Sequence, residues 1–191
     1  VASYRVPEQE LPPVAEVGYA DVCAWQREWQ DEPSLLNKLE TLREQLGTEA
    51  PLLRLPAPRG ARRGDPASVV SEPLGAELAN RVRMSARAQR ATPFSVLLAA
   101  WAGVLSRLSG GGDFRIGVPS AGRRRLETHA IVGYFVSTQL IRVELDDSTS
   151  FARWVEQMRT RVVEAENEQD VPLSRLAEAL GAGRGAGGAR L

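Results

Sequence analysis

TPFSVLLAAWAGVLSRLSGGGDFRIGVPS, residues Thr92–Ser120, encodes a helix, a stop and a strand in direct succession. The Thr92 hydroxyl can accept from an unpaired N–H at a helix start, and Pro93 suits the first helical position because its missing N–H has no partner there anyway. The helix should continue through Leu97, Leu98, Trp101, Val104 and Leu105 to Gly110. Ala, Val and Leu cover most of its circumference, so it is expected to be buried on several faces. Gly110 to Gly112 make a turn, Phe114 to Pro119 read as a strand, and a glycine and arginine loop follows at Gly122 to Arg125.

Working downstream, Tyr134 to Leu145 is rich in Val, Ile, Thr and Phe and reads as a longer strand. Ser148 or Ser150 can start a helix whose face Phe151, Trp154, Val155, Met158 and Val162 points to the core. Pro172 opens a short helix through Leu176 to Leu180, which Gly181 can end. The tail from Gly181 to Leu191 has five glycines in eleven residues, a linker composition expected to be mobile. Upstream, Ser68 to Glu72 could pair as a short strand, and Leu74, Leu78 and Val82 place a helix ending near Arg90. Pro51 to Pro66 collects prolines, glycines and arginines and is expected to be a boundary between two lobes. Two amphipathic helices precede it, Tyr19 to Gln30 and the Leu35, Leu39, Leu42, Leu46 repeat that stops at Gly47. Pro7, Pro12 and Pro13 keep the start extended. Helices alternating with strands predict an α/β layered sandwich, and there are no internal repeats.

At 191 residues and 43% apolar, the chain can bury a sizeable core. Its formal charge is zero, so no long-range field favours nucleic acid or an anionic membrane surface. The groups Arg59, Arg62, Arg63 and Arg123, Arg124, Arg125 read first as solvated loop charge, and Lys38 is the only lysine. No apolar run reaches the length of a membrane span and no secretory pattern opens the sequence, so a cytoplasmic location is expected. One cysteine, Cys23, and one histidine, His129, cannot supply a typical zinc site. No metal is expected.

Three segments, in order, carry a family likeness. Tyr19-Ala20-Asp21-Val22-Cys23-Ala24-Trp25-Gln26 is similar to a Tyr-x-Asp-(Tyr/Phe)-Ala-x-Trp helix. Ile131-Val132-Gly133-Tyr134-Phe135-Val136-Ser137-Thr138-Gln139-Leu140-Ile141-Arg142 is close to an Ile-Gly-x-Phe-Val-Asn-Thr-x-x-x-Arg strand. Gln169-Asp170-Val171-Pro172 matches a Gln-Asp-(Tyr/Val)-Pro turn. Together with Thr92 to Trp101 and Gly117 to Arg123, these resemble the condensation domain of nonribosomal peptide synthetases.

The resemblance implies a chloramphenicol acetyltransferase-like α/β fold of two lobes facing one another across a channel. Residues 1–66 would be the end of the N-terminal lobe and the inter-lobe linker, and 67–191 a truncated C-terminal lobe. Thioester substrates on the phosphopantetheine arms of peptidyl carrier proteins enter that channel in the family, and the amine of one attacks the carbonyl of the other. By resemblance, Gly117, Pro119, Arg123, Tyr134, Phe135, Ser137 and Thr138 would line the channel. Tyr19, Asp21, Trp25, Gly133, Arg142, Gln169, Asp170 and Pro172 would be structural members of the motifs. Carrier proteins and neighbouring synthetase domains are the expected partners; no cofactor is expected to bind directly. Ser137 stands where many members have Asn, Glu168 where His or Asn precedes Gln-Asp, and Leu173 where an aromatic is common. Neither the family's His-His-x-x-x-Asp-Gly motif nor its Arg-Asp-x-Ser-Arg motif occurs here, so the chain is expected to be cut at both ends.

Amide formation from a thioester needs a group that accepts or orients the amine proton, and histidine is the usual choice near neutral pH. His129 forms no triad or metal pattern with its neighbours and reads first as a loop residue, leaving no catalytic residue to name. Cys23, beside Val22 and Trp25 on a helix, reads as a small buried side chain. Asp21 and Asp170 read as braces of local structure, and Trp25, Trp29, Trp101 and Trp154 as core. For Phe135, Val136 and Thr138, sheet core and channel lining are equally good readings. Three functions stay open: part of an amide-forming condensation domain, inactive alone; a degenerate docking platform for carrier proteins or tailoring enzymes; and a free-standing acyltransferase using coenzyme A, which would need the same missing motif.

Overall fold

The computed structural model describes residues 16–29, 32–47, 53–56 and 69–180. Its elements are α1 (Tyr19–Trp29), α2 (Pro33–Leu46), α3 (Ala76–Ala88), α4 (Pro93–Ser109), β1 (Asp113–Ser120), β2 (Ser137–Glu144), α5 (Phe151–Asn167) and α6 (Leu173–Ala179), with a 3-10 turn at Leu126–Thr128. The expected extended start, most of the Pro51 to Pro66 linker and the glycine-rich tail lie outside the described residues.

Local signals set the helix ends. Thr92 Oγ1 accepts from the Ser95 N–H at 3.1 Å, and Gly110 closes α4 in the left-handed region at φ 73°. Ser150, not Ser148, caps α5 through the Arg153 N–H, while Ser148 donates its N–H to Asp146. That bond, first, and the Ser148 hydroxyl, second, hold the Asp146 carboxyl below its ordinary range.

β1 and β2 pair antiparallel, from Asp113 opposite Glu144 to Ser120 opposite Ser137. Because side chains alternate across a strand, Phe114, Ile116, Ile141 and Val143 share one face. They pack with Val96, Ala99, Ala102 and Leu105 of α4 and Trp154, Val155, Met158 and Val162 of α5. The opposite face carries Leu140, which joins the α2 leucines and Val171, Leu176 and Leu180 around α6 in a second core. The sheet is thus the middle layer between two helical groups. Arg115 links the groups electrostatically: its guanidinium donates to the Leu46 carbonyl at 3.2 Å and to that of Gly47, satisfying acceptors that the end of α2 leaves free.

Several sequence expectations need correction. Val69 to Glu72 form no strand and are exposed, since nothing among the described residues pairs with them. The strand expected from Tyr134 begins only at Ser137, because β1 ends at Ser120 and offers no ladder partner to the residues before it. α4 is not buried all round: Phe94, Leu97, Trp101, Val104 and Leu108 are each about half exposed. Of the four tryptophans only Trp154 is buried, and Phe151 stands outside the core face of α5. Cys23 is half-buried, not enclosed. Among the described residues no single helix is long and apolar enough to cross a membrane.

Two substitutions probe this packing. Phe114→Ala, at a side chain only 1% exposed, should lower unfolding free energy by about 3–5 kcal/mol. Thr92→Ala should lower it by about 1 kcal/mol through the lost cap. Urea unfolding followed by circular dichroism measures both.

Candidate functional site

The family-like segments, far apart in sequence, meet at one end of the β1–β2 hairpin. α1 starts where the Gly18 N–H donates to Asp21 Oδ2 at 2.8 Å, so Asp21 braces the helix start as expected. No residue of α1 is fully buried; its attachment to the segment before β2 runs through Tyr19. The Tyr19 hydroxyl donates to the Tyr134 carbonyl at 2.8 Å, and its ring meets Phe135 edge-on, with centroids 5.3 Å apart. A Cβ on Gly133 would overlap the Tyr19 ring, so only glycine allows this approach. The Tyr19 phenol is held above its ordinary value, first by its hydrogen bond with Cys23 and then by desolvation.

Arg123 fixes the segment between the strands. Its Nη1 donates to the carbonyls of Thr128 and, at 3.0 Å, Ile131, and its Nη2 to that of Gly133 at 3.2 Å. The guanidinium lies 4.2 Å from the Phe135 ring centroid, a cation–π distance. A lysine could not span three carbonyls and stack on a ring at once, because only the guanidinium presents a planar fork of donors. His129 lies on the same turn, exposed, with Nε2 2.9 Å from the Arg123 carbonyl. A carbonyl only accepts, so this nitrogen carries the proton.

The third motif closes the cluster. Ser120 donates its hydroxyl to Gln169 Oε1 at 2.9 Å, and Arg124 reaches Asp170 at 3.9 Å and the Asn167 carbonyl at 3.0 Å. Pro172 precedes α6 as its N-cap, and Val171 is buried in the second core. Asp21, Trp25, Arg124, Arg125, Phe135 and Asp170 are among the residues that border a cleft of about 390 Å³. Its walls are mixed: Arg125 stacks 4.4 Å from the Trp25 ring, and Trp25 stacks on Trp29 at 6.2 Å.

The residues expected to line a channel do not form one patch. Tyr134 and Phe135 sit at the cluster, Tyr134 74% exposed on a backbone held by Tyr19. Arg123 is turned into its own loop. Gly117, Pro119 and Thr138 occupy one face of the hairpin, with Thr138 opposite Pro119, while Ser137 lies on the other face opposite Ser120. Arg142 stands five residues along β2 from Ser137, about 17 Å away. There it holds Asp113 through two bonds, 3.1 and 2.9 Å, and Glu144 at 3.3 Å. These carboxylates offset the like charge of Arg115 directly across the ladder, and the bond to Asp113 is the largest cause raising the Arg142 pKa. Sequence reasoning missed the Ser120–Gln169 bond, the Arg115 cap and the Arg125–Trp25 stack. All three join residues at separations that no local period marks.

Chemically, the cluster offers exposed aromatics, a paired arginine and hydroxyls, and no imidazole facing the cleft. Its residues can shape and hold a substrate wall. The carboxylates that border the cleft are Asp21, Glu127 and Asp170, and His129 does not line it.

Comparison with known proteins gives consistent results. The family model described as Condensation domain matches residues 4–191. A linear gramicidin synthase of Brevibacillus parabrevis is 35% identical over 176 residues, which are 91% of this chain and 3% of that protein. The solved condensation domain from the Monacolin K polyketide synthase MokA superposes with a TM-score of 0.77 at 25% identity, covering 94% of this chain and 43% of that one. The X-domain from teicoplanin biosynthesis, solved in complex with OxyB, shares the fold with a TM-score of 0.79 at 21% identity, covering 94% and 41%. The chain thus spans a small fraction of the synthase and less than half of either solved chain.

Gly133→Ala should cost about 1–3 kcal/mol by forcing Tyr19 off its seat. In a Tyr19→Ala background the same change should cost much less, and a double-mutant cycle by urea unfolding measures the difference.

Proposed function

The chain belongs to the condensation-domain family, and we propose that it forms part of the substrate channel of a nonribosomal peptide synthetase condensation domain, which joins carrier-bound aminoacyl or peptidyl thioesters through an amide bond. The observation that carries this reading is the convergence of Tyr19, Gly133, Phe135, Ser120, Gln169 and Asp170 at one end of the hairpin. A family motif is informative when its members meet in space, and these do. In this reading residues 67–191 belong to the C-terminal lobe and 1–66 to the end of the N-terminal lobe and the linker. Tyr134 and Phe135, at the cluster, face the channel; of the hairpin residues, Gly117, Pro119 and Thr138 on one face and Ser137 on the other cannot all do so.

The chemical step divides accordingly. The attacking amine must lose a proton as it adds to the thioester carbonyl, and the tetrahedral oxyanion must be stabilised before the thiolate leaves. The one histidine of the sequence is exposed and engaged with the Arg123 carbonyl, so the proton acceptor comes from the family's His-His-x-x-x-Asp-Gly segment on the facing lobe. These residues contribute the wall that orients the two thioesters. The phosphopantetheine arms are delivered with the substrates by carrier proteins, in the cytoplasm.

A second reading, a docking platform without turnover, is favoured by the absence of an imidazole at the cleft among the described residues. Reconstitution separates the two. With two loaded carrier proteins the isolated chain should give no amide product by mass spectrometry, and embedding it in a domain that bears the His-His-x-x-x-Asp-Gly segment should restore product. Product from the isolated chain that persisted in His129→Ala would overturn the first reading. Micromolar carrier-protein binding, with no product even in the embedded domain, would establish the second.

A further inference from the structure

Glu168, Lys38, Trp29, Trp25 and Arg125 form one unbroken run of contacts that begins at the turn between α5 and α6 and ends at the cleft. The Lys38 ammonium lies 3.0 Å from Glu168 Oε2, the two side chains being 32% and 25% exposed. The same nitrogen sits over the Trp29 ring, 5.8 Å from its centroid, within the range of a cation–π contact. Trp29 stacks on Trp25 with centroids 6.2 Å apart and planes 17° from parallel. Trp25 in turn carries the Arg125 guanidinium at 4.4 Å, and these last two residues border the cleft.

Both ends of the pair between Lys38 and Glu168 are anchored. Lys38 stands on α2 between Leu35 and Leu39, and both leucines are buried in the second core, so the ammonium is delivered from a fixed helix. The Glu168 carbonyl accepts from the Val171 N–H at 3.0 Å, and Val171 is buried in the same core. The two residues after Glu168 are tied as well, Gln169 to Ser120 and Asp170 to Arg124. α1 has no such anchor: none of its residues is fully buried, and Trp29 is only partly covered by the second core. Its indoles need a further constraint to keep one orientation, and the Lys38 charge supplies it. A lysine on its flexible stem does not stay over a ring unaided; the Glu168 carboxylate holds it there. Lys38 is the one lysine of the sequence, and at the place of Glu168 an Asn or a neutral His would have no charge with which to hold it.

We propose that Lys38 and Glu168 are positioning residues for the aromatic wall of the cleft: Glu168 orients the ammonium, the ammonium seats Trp29, and Trp29 holds the Trp25 indole beside Arg125. Both act through Trp25 and do not line the cleft themselves. Every contact is made within this chain, so the arrangement does not depend on which segments complete the domain. The pair is too exposed to act mainly through stability, and its effect is on geometry. The role in the reaction rests on the reading of the cleft as part of the substrate channel; the placement of the indoles does not.

Two measurements test the proposal. A stacked indole pair gives an exciton couplet in far-ultraviolet circular dichroism, isolated as the difference between each protein and its own Trp25→Phe version. Lys38→Met and Glu168→Gln should each lower the couplet by about twofold or more, while Lys38→Arg, whose cation can both pair and stack, should retain it. In the embedded domain of the reconstitution, the same two variants should raise the KM for loaded carrier proteins by about threefold to tenfold with a smaller change in kcat, and Lys38→Arg should not. A wild-type chain without a couplet, or a couplet unchanged in Lys38→Met and Glu168→Gln, would overturn the proposal, as would a couplet that Lys38→Arg loses equally. A couplet that falls while KM holds would overturn the assignment to the substrate wall. If the wild-type embedded domain makes no product, the amide-forming reading fails, and the couplet alone decides whether Lys38 and Glu168 hold the indoles.

Discussion

The guanidinium of Arg123 is the fixed point around which the site is built. The segment from Ala121 to Val136 has no ladder partner, so its backbone carbonyls would otherwise turn to water and its path would be undefined. Three of those carbonyls accept from one planar group, which also lies on the Phe135 ring. With the segment so held, Tyr134 and Phe135 have defined positions, Tyr19 has a carbonyl and a ring edge to meet, and α1 is attached to the rest of the molecule without burying a residue of its own. Remove that point and the motif residues keep their identities but lose their relation to one another.

The hairpin supplies the rigid part. Its apolar face is locked between α4 and α5, with Phe114, Val143 and Val155 at or below 1% exposure, and its other face rests through Leu140 on α2 and α6. A two-stranded ribbon alone is marginal in water; here it is stable because both faces are covered. Charged groups at the far end of the ribbon do less. Arg142, Asp113, Glu144 and Arg161 form a connected set, but partial exposure limits each pair to about 1 kcal/mol or less. Their effect is on register: Arg142 is held between carboxylates at one end of the ladder while Ser120 and Gln169 tie the other.

The division between α4's two faces shows where reading a sequence is strong and where it stops. Thr92, Pro93 and Gly110 determine the helix ends through local hydrogen bonding and backbone sterics, and both ends fall where those residues put them. Which apolar residues of α4 are covered depends on neighbours that the helix itself does not encode. Trp101 and Val104 are as apolar as Leu98 and Leu105, yet they face outward. The same reasoning explains β2. Val, Ile and Thr mark a strand-former from Tyr134 onward, but a strand exists only where a partner strand lies alongside, and β1 reaches no further than Ser120.

By itself, then, the sequence determined the helices, two of the three strands it suggested, the α/β layering and the family-like motifs, because caps, periodicity and short motifs are local and act within a few residues. The convergence of those motifs was decided only in three dimensions. Tyr19 and Tyr134 are 115 positions apart, and Ser120 and Gln169 are 49 apart; no pattern along the chain records such pairs. They form because burying Phe114, Ile141, Val155 and Leu140 fixes the layers first. Short-range donors such as Arg123 then bring the connecting backbone to the one place where a ring, a glycine and a carbonyl fit together.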